Sequence, residues 1–281
     1  MTLSIISFLL AFTIAFGRQT AVFGKIRRSL WFFSNYEKKR WLFSTASLCF
    51  SFYALYYYSE YSAIFYISLV SWSLLLLSFL FDFKYIFPEI NSIEKEIGCN
   101  LSINNDEKII GVYYKKKAIA YPLDALIPRH IINDKIDGEN IVISYCAICR
   151  SGLAFLAKID GQNFYFKVSA VWRRNMVMID NETKSLWQQA TGECIYGNYK
   201  GYHLSLISGE NTNWGAWKKK YPSSLYAHKT TEARKGYFSK QWMLKALYFI
   251  TPKITPPGFS DLTELPKREI VFGVKFNGIS K

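Results

Sequence analysis

The chain of 281 residues is half apolar, and 35 lysines and arginines against 21 acidic residues give it a formal net charge of +14. Such a surplus suits an acidic membrane surface or a nucleic acid. Because no recognition helix, Gly-rich RNA-binding signature or zinc-finger spacing accompanies the bases, no nucleic-acid partner is expected. The five cysteines are an odd set that includes Cys49 inside an apolar run, which excludes a disulfide framework.

Three apolar runs without a charged side chain occupy the first third of the chain. They cover Thr2 to Phe16, Trp41 to Tyr58 and Ala63 to Phe81. Each approaches the ~20 residues that a helix needs to cross ~30 Å of hydrocarbon. A cleavable signal peptide is a weaker interpretation of the first run, because no basic residues precede it and no clear cleavage site follows. The sequence therefore predicts a membrane region over residues 1–82 with three transmembrane helices.

The charges of the two connections predict the orientation of these helices. The first connection holds one acid, Glu37, among the bases Arg18, Lys25, Arg27, Arg28, Lys38, Lys39 and Arg40, whereas the second, Ser59 to Ser62, holds no base. Lys and Arg concentrate on the cytoplasmic side of short connections. We therefore expect a multi-pass protein of the plasma or inner membrane, in contact with lipid, with everything after Asp82 in the cytoplasm.

Residues 83–105 read as a connector, and residues 106–281 as a β-rich soluble domain. Short β-branched and aromatic runs alternate with turn residues such as Asp160-Gly161, a pattern typical of antiparallel hairpins. The predicted strands are Ile109 to Tyr114, Ala118 to Tyr121, Ile141 to Tyr145, Leu153 to Ile159, Phe164 to Val168, Asn175 to Ile179, Ser185 to Gln189, Ile195 to Tyr196 and Tyr202 to Ile207. Helices are predicted over Asn213 to Lys220 and Ser239 to Phe249. The expected fold class is N-terminal transmembrane α-helices followed by a mainly β (α+β) domain with antiparallel sheet.

Two thiols three positions apart, Cys146 and Cys149, form the compact cluster of reactive side chains in this sequence. A CxxC pair can act as a dithiol/disulfide couple, supply two ligands to a metal ion, or serve as two small apolar residues in a turn. Arg150 beside the pair would help to stabilise a thiolate. A thioredoxin-like site would instead be followed by a helix, and here a strand follows. The spacing leaves all three interpretations open.

A metal site would need ligands beyond the two cysteines. His130 is the candidate third ligand, and zinc or another transition-metal ion is the candidate cofactor. Glu193, beside Cys194, is a candidate general base, so the candidate catalytic residues are Cys146, Cys149 and Glu193. Each of these two residues also has a structural interpretation. His130 can be a hydrogen-bonded buried histidine, and Glu193 can be a solvated carboxylate on an edge strand. The sequence contains no phosphate loop, dinucleotide fingerprint or zinc-protease helix, so nucleotide-dependent chemistry is not expected.

Several motifs of the soluble part together resemble a known family. They are Ala120-Tyr121-Pro122-Leu123, His130 with Asn133-Asp134, Tyr145-Cys146-x-x-Cys149, Asn175-x-Val177-Met178-x-Asp180, Ser185-Leu186-Trp187-x-Gln189, Gly192-Glu193-x-Ile195-x-Gly197 and the tail Leu265-Pro266-Lys267-x-Glu269-x-Val271-x-Gly273-Val274. In order and spacing they are similar to the bacterial and archaeal domain of unknown function 3179. Ala147 departs from the family's usual Pro, and Cys194 from its usual small apolar residue. The resemblance implies no activity. Relatives often carry export signals or lipid anchors, which implies an extracytoplasmic domain and stands against the charge rule; the cytoplasmic expectation is kept.

The sequence thus favours a membrane-anchored module of unestablished activity centred on the CxxC turn, either metal-binding or thiol-active. The alternative is a non-catalytic binding or assembly domain in which the cysteines are structural. Whether the protein is an enzyme is left open by these residues.

Overall fold

The computed structural model describes residues 1–20, 30–80, 82–146, 150–172 and 175–229, and the short segments 275–276 and 279–280. Its first part is helical and its second part mainly β, as the sequence predicts. The helices are α1 (Thr2–Thr20), α2 (Leu30–Phe33), α3 (Tyr36–Tyr57), α4 (Ser62–Leu80), α5 (Phe83–Ile86), α6 (Leu123–Leu126) and α7 (Trp214–Lys220). Asn213 caps α7 by accepting from the Ala216 N–H at 2.8 Å, as expected for an asparagine at this position.

The three long helices α1, α3 and α4 pack as a bundle with many small hydroxyl side chains inside and large apolar side chains outside. Their buried faces carry small hydroxyl side chains, namely Ser4, Ser7, Ser44, Ser47, Ser51, Ser68, Ser71 and Ser78. The Ser7 and Ser47 hydroxyls lie 2.9 Å apart across the α1–α3 contact. Many large apolar side chains point outward, with Leu42 67% and Leu76 61% exposed, although Leu75 is buried. Small residues at the contacts let helix backbones approach closely.

Only α4 is, among the described residues, both long and apolar enough to cross a membrane, with a mean hydropathy of 2.1. The apolar part of α1, Thr2–Arg18, is shorter. In α3 the many serines and tyrosines lower the hydropathy. The predicted helices are therefore present, but their crossing of a membrane stays a prediction.

The described strands follow in chain order, most of them joined by short turns. They are β1 (Glu94–Ile97), β2 (Lys108–Tyr114), β3 (Lys117–Pro122), β4 (Ile131–Ile136), β5 (Glu139–Cys146), β6 (Ser151–Leu156), β7 (Lys158–Ile159), β8 (Gln162–Asn163), β9 (Phe166–Trp172), β10 (Asn175–Asp180), β11 (Leu186–Gln188), β12 (Cys194–Tyr196), β13 (Gly209–Asn213), β14 (Leu225–Lys229), β15 (Lys275–Phe276) and β16 (Ile279–Ser280). β1 lies in the stretch that reads as a connector and pairs with β14.

These strands form three main sheets and two small hairpins, β7–β8 and β15–β16. The orders are β1-β14-β3-β2-β13, β4-β5-β6 and β12-β11-β10-β9. Within the three main sheets every described pairing is antiparallel except β14 with β3. The predicted antiparallel β domain is thus confirmed for the described residues.

The sheets stack in layers because β5 is buried on both faces. Ile143 and Tyr145 face the cluster shared with the five-stranded sheet. Val142 and Cys146 face the cluster shared with the four-stranded sheet. The other face of the four-stranded sheet packs against Phe33 and other residues of the helices. The order of layers is therefore helices, four-stranded sheet, three-stranded sheet and five-stranded sheet, with the Cys146 side chain pointing toward the helix side.

Two sequence-based predictions differ or fall outside this description. The segment predicted as a strand over Tyr202 to Ile207 forms only isolated bridges. Its backbone bonds first to one layer and then to another, since the Leu204 N–H donates to the Gly192 carbonyl and the Ile207 N–H to the Ala154 carbonyl. The predicted helix Ser239 to Phe249 lies outside the described residues.

Candidate functional site

Cys146 ends β5 and forms the last pair of the β5–β6 ladder with Ser151. Its side chain is 3% exposed and belongs to an apolar cluster with Val142 and Phe155. Arg150, immediately before Ser151, has a left-handed φ of 53°. Cys149 lies outside the described residues, so its predicted role stays a prediction.

His130 stands immediately before β4 and beside the end of β5. Its carbonyl accepts a hydrogen bond from the Tyr145 N–H at 2.8 Å, which places it next to the residue that precedes Cys146. A left-handed φ of 67° breaks the strand alternation at this position. The imidazole packs on Phe87, with ring centroids 4.3 Å apart. Phe87 packs against the same apolar cluster as Cys146.

The His130 imidazole is buried, with 8% of the residue exposed. Burial lowers its pKa to about 4, although a hydrogen bond to the Ile127 backbone acts in the opposite direction. The ring is therefore neutral at physiological pH. Its Nδ1 has no hydrogen-bond partner among the described residues. A buried neutral imidazole whose Nδ1 has no partner among the described residues can serve as a metal ligand.

Glu193 precedes the edge strand β12. Its carbonyl accepts from the Gln188 N–H at 2.8 Å, and its N–H donates to Thr191 Oγ1 at 3.2 Å. The side chain is half-buried and forms no ion pair with a described base. These contacts belong to the β11–β12 turn. The proposed role of Glu193 as a base stays a prediction.

The remaining sulfur and imidazole candidates do not converge on one point. Cys194 is fully buried, and burial raises the pKa of its thiol to about 11. His228 lies in β14 of the five-stranded sheet, 3.0 Å from Glu96. Within the part of the chain that the structure describes, no three His, Cys, Asp or Glu side chains cluster as a metal site. Cys149 is not among the described residues, so this statement does not cover a set of metal ligands that includes it.

A buried amide network, which sequence reasoning did not assign to the turn, supports the end of the β5–β6 hairpin. Gln189 is fully buried, and its Nε2 lies 3.3 Å from the Ser151 carbonyl and 3.4 Å from the Ser144 hydroxyl. Its Oε1 accepts from Asn175 Nδ2 at 3.2 Å. The network therefore ties the hairpin to β10 and holds the Cys146–Ser151 pair in place. The sequence signal for this network is the two amide side chains, Asn175 and Gln189, which lie at strand ends in apolar runs.

One family model matches the chain, over residues 86–281, and its description is "Protein of unknown function (DUF3179)". The match begins in α5 and leaves α1, α3 and α4 outside it. No curated protein matches the chain, and no solved structure matches it either. The comparisons therefore identify a family and assign no chemistry.

Proposed function

The chain belongs to the DUF3179 family, and from that premise we propose that it is a membrane-anchored module that binds zinc or another transition-metal ion at the Cys146 turn. Cys146, Cys149 and His130 are the proposed ligands. The observation that carries the proposal is the buried, neutral imidazole of His130 with an unpartnered Nδ1 beside the end of β5.

A metal ion would give His130 Nδ1 the partner that the described residues do not supply. An unpartnered buried polar atom costs about 1–3 kcal/mol. The C-x₂-C spacing supplies adjacent thiolate ligands in many zinc sites, and a three-ligand set leaves a fourth position for water or substrate. Metal binding would also account for a cysteine at the end of β5.

The dithiol interpretation has less support, because a reactive thiolate needs solvent access and Cys146 is 3% exposed. The alternative of a non-catalytic binding or assembly domain rests on a specific observation, the placement of Cys146 in an apolar cluster. In that case the cysteine is a small core residue, and a sheet edge or surface recognises a partner.

The membrane anchor is supported by the large apolar side chains exposed on the outside of the helical bundle. Exposed leucine and phenylalanine would form a large apolar surface in water, whereas lipid tails match them. Exposed aromatic residues lie at both ends of the bundle, as in membrane-interface belts. Tyr56, Tyr57, Tyr58 and Tyr61 lie at the α3–α4 end, and Trp31 and Trp41 lie at the other.

The proposed orientation places the β domain in the cytoplasm. Three helix ends meet at the base of the bundle, where the β domain begins. They are the end of α1 with Arg18, the start of α3 with Arg40 and the end of α4 before Asp82. The positive-inside rule assigns this basic end to the cytoplasm. A single cysteine introduced at Asp160 in a cysteine-free chain tests the assignment. Labelling by an impermeant maleimide on intact cells would contradict it.

Elemental analysis of the detergent-purified full chain by mass spectrometry tests the metal site. We expect about one metal ion per chain in the parent, none in Cys146→Ser/Cys149→Ser and a reduced content in His130→Gln. His203→Gln is the matched control, since His203 is an exposed histidine, and it should keep the parent's content. A parent that holds no metal after incubation with zinc, or a His130→Gln variant with full content, would contradict the proposal.

A further inference from the structure

A second site lies at the junction between the helical bundle and the four-stranded sheet. A cavity of about 120 Å³ opens there between the end of α1, the start of α3, the α5 segment and strands β9 and β10. This volume exceeds the ~10–15 Å³ that one water needs, so the cavity has room for a small polar group. None of its lining residues belongs to the Cys146 turn.

The cavity is lined mainly by bases. They are Arg18, Lys38, Lys84, Lys167 and Lys184. Two acids face them, Glu37 and Asp82, and both are already engaged. Asp82 pairs with Arg18 at 3.4 Å and also with Arg40, and Glu37 lies 3.9 Å from Lys167.

Two of the lysines remain available for a ligand, since Lys184 Nζ already donates to the Asn181 carbonyl at 2.7 Å. Lys38 and Lys84 form no ion pair with any described carboxylate. Such a concentration of positive charge in a recess attracts anions, because the low-dielectric walls focus the field. The net charge of the lining therefore indicates an anionic ligand.

Two buried hydrogen-bonding groups of the lining also lack a partner. Arg18 is 8% exposed and Ser169 is 1% exposed, and neither Arg18 Nε nor Ser169 Oγ bonds to any described residue. Buried donors without partners are rare and destabilising, so each calls for an explanation. A ligand with several acceptor oxygens would satisfy both donors at once.

We propose that this cavity binds a phosphate group. Phosphate combines negative charge with several acceptor oxygens, which is what an arginine, a hydroxyl and free lysines recognise together. The group could come from the headgroup of an anionic phospholipid or from free inorganic phosphate. The lipid source rests on the proposed membrane anchor, since the cavity lies at the base of the bundle where headgroups of the cytoplasmic leaflet would lie. The phosphate site itself does not depend on the metal site.

The test uses the full chain in a neutral detergent and two separate ligands. One arm adds sodium phosphate, with sodium chloride at equal ionic strength as its control. The other adds dioleoyl phosphatidylglycerol to the micelles, with dioleoyl phosphatidylcholine as its control. A ligand that binds only the folded protein raises the unfolding midpoint in proportion to its saturation. We expect phosphatidylglycerol to raise it. A rise with sodium phosphate of the same size would support the site and assign free phosphate as its ligand.

Variants of the lining residues test whether a shift in the unfolding midpoint comes from binding in the cavity. Lys38→Gln/Lys84→Gln removes two unpaired lysines of the lining, and we expect the apparent affinity to fall roughly fivefold for each, about 25-fold in all. Lys218→Gln/Lys219→Gln on α7 removes the same charge from exposed positions outside the cavity, and it should bind as the parent does. Ser169→Ala should unfold no earlier than the parent without ligand, because it removes an unsatisfied hydroxyl, yet it should show a smaller ligand shift.

The proposal is wrong if neither ligand moves the midpoint of the parent, or if the two double variants bind equally. Metal content measured on the same preparations reports separately on the Cys146 site. A chain that is soluble without detergent would refute the membrane anchor, and the sodium phosphate arm would still decide the phosphate site.

Discussion

Asp82 is the ionic centre at which the ends of α1 and α4 meet the start of α3. Its carboxylate pairs with Arg18 and Arg40, and the exposed side-chain fractions are 3% for the acid and 10% and 4% for the two bases. The change Asp82→Asn keeps the side-chain shape and the acceptor for the Lys84 N–H, 3.0 Å away. It removes the charge, replaces one acceptor oxygen with an NH2 donor, and leaves two guanidinium groups buried without a counter-ion. We expect a loss of about 3–5 kcal/mol in the free energy of unfolding.

The matched control is Glu210→Gln, which breaks the ion pair with Lys220. Both of those side chains are about half exposed, so the loss should be about 0–1 kcal/mol. Unfolding of the full chain in detergent, followed by tryptophan fluorescence and far-UV circular dichroism, measures both. An Asp82→Asn variant within about 1 kcal/mol of the control would refute the reasoning, because it would mean that water reaches the buried charges.

The pH dependence gives a second measurement on the same residue. Burial acts to raise the pKa of Asp82, but Arg18, the Lys84 N–H and Arg40 outweigh it and lower the pKa below its usual 3.8. A lowered folded-state pKa contributes stability that is present above the unfolded-state pKa and is lost as pH falls through the folded value. The parent should therefore lose more stability than Asp82→Asn when the pH is lowered from about 5 toward 2.

Three further predictions concern the β domain. Gly111→Ala should cost about 1–3 kcal/mol, measured as a lower unfolding midpoint, because its Cβ would lie 2.4 Å from the buried ring of Trp217. Gln189→Leu should cost about 1–3 kcal/mol in the same assay, since it leaves the buried partners of the amide unsatisfied. In the native protein at pH 8, mass spectrometry after maleimide treatment should find Cys99, which is exposed, modified and Cys194 intact, since burial raises the Cys194 pKa to about 11. Modification of Cys194 at the rate of Cys99 would contradict its burial.

Local patterns were sufficient to predict most elements of the fold. The β2–β3 hairpin forms where alternating strands flank Lys115 and Lys116, both of which adopt positive φ. Helix α7 forms where Asn213 caps it, and it ends at Lys220, with Tyr221 as its C-cap before Pro222. Such signals act over a few neighbouring residues and are readable without the fold. The strand predicted over Tyr202 to Ile207 does not form, because its backbone hydrogen bonds go to two different layers.

The candidate site was predictable only in part. The thiol pair is visible in the sequence by its spacing, but nothing local indicates that His130 lies beside the end of β5. That adjacency comes from the β4–β5 pairing, in which Ile131 faces Ser144. The Gln189 network likewise joins residues that are 38 and 45 positions apart. Long-range hydrogen bonds of this kind depend on sheet register, which the sequence specifies only through burial of each face.

By itself, the sequence determined the apolar helices, the hairpins, the CxxC spacing and the membership of a family, because each depends on residues close together in the chain. The tertiary structure alone decided which face of β5 carries Cys146, that Asp82 meets Arg18 and Arg40 from 64 and 42 residues away, and that bases of the helices and of the sheet line one cavity. The physical reason is that buried charges and polar groups take whatever partners the fold brings within a few ångströms, and that distance is independent of separation along the chain.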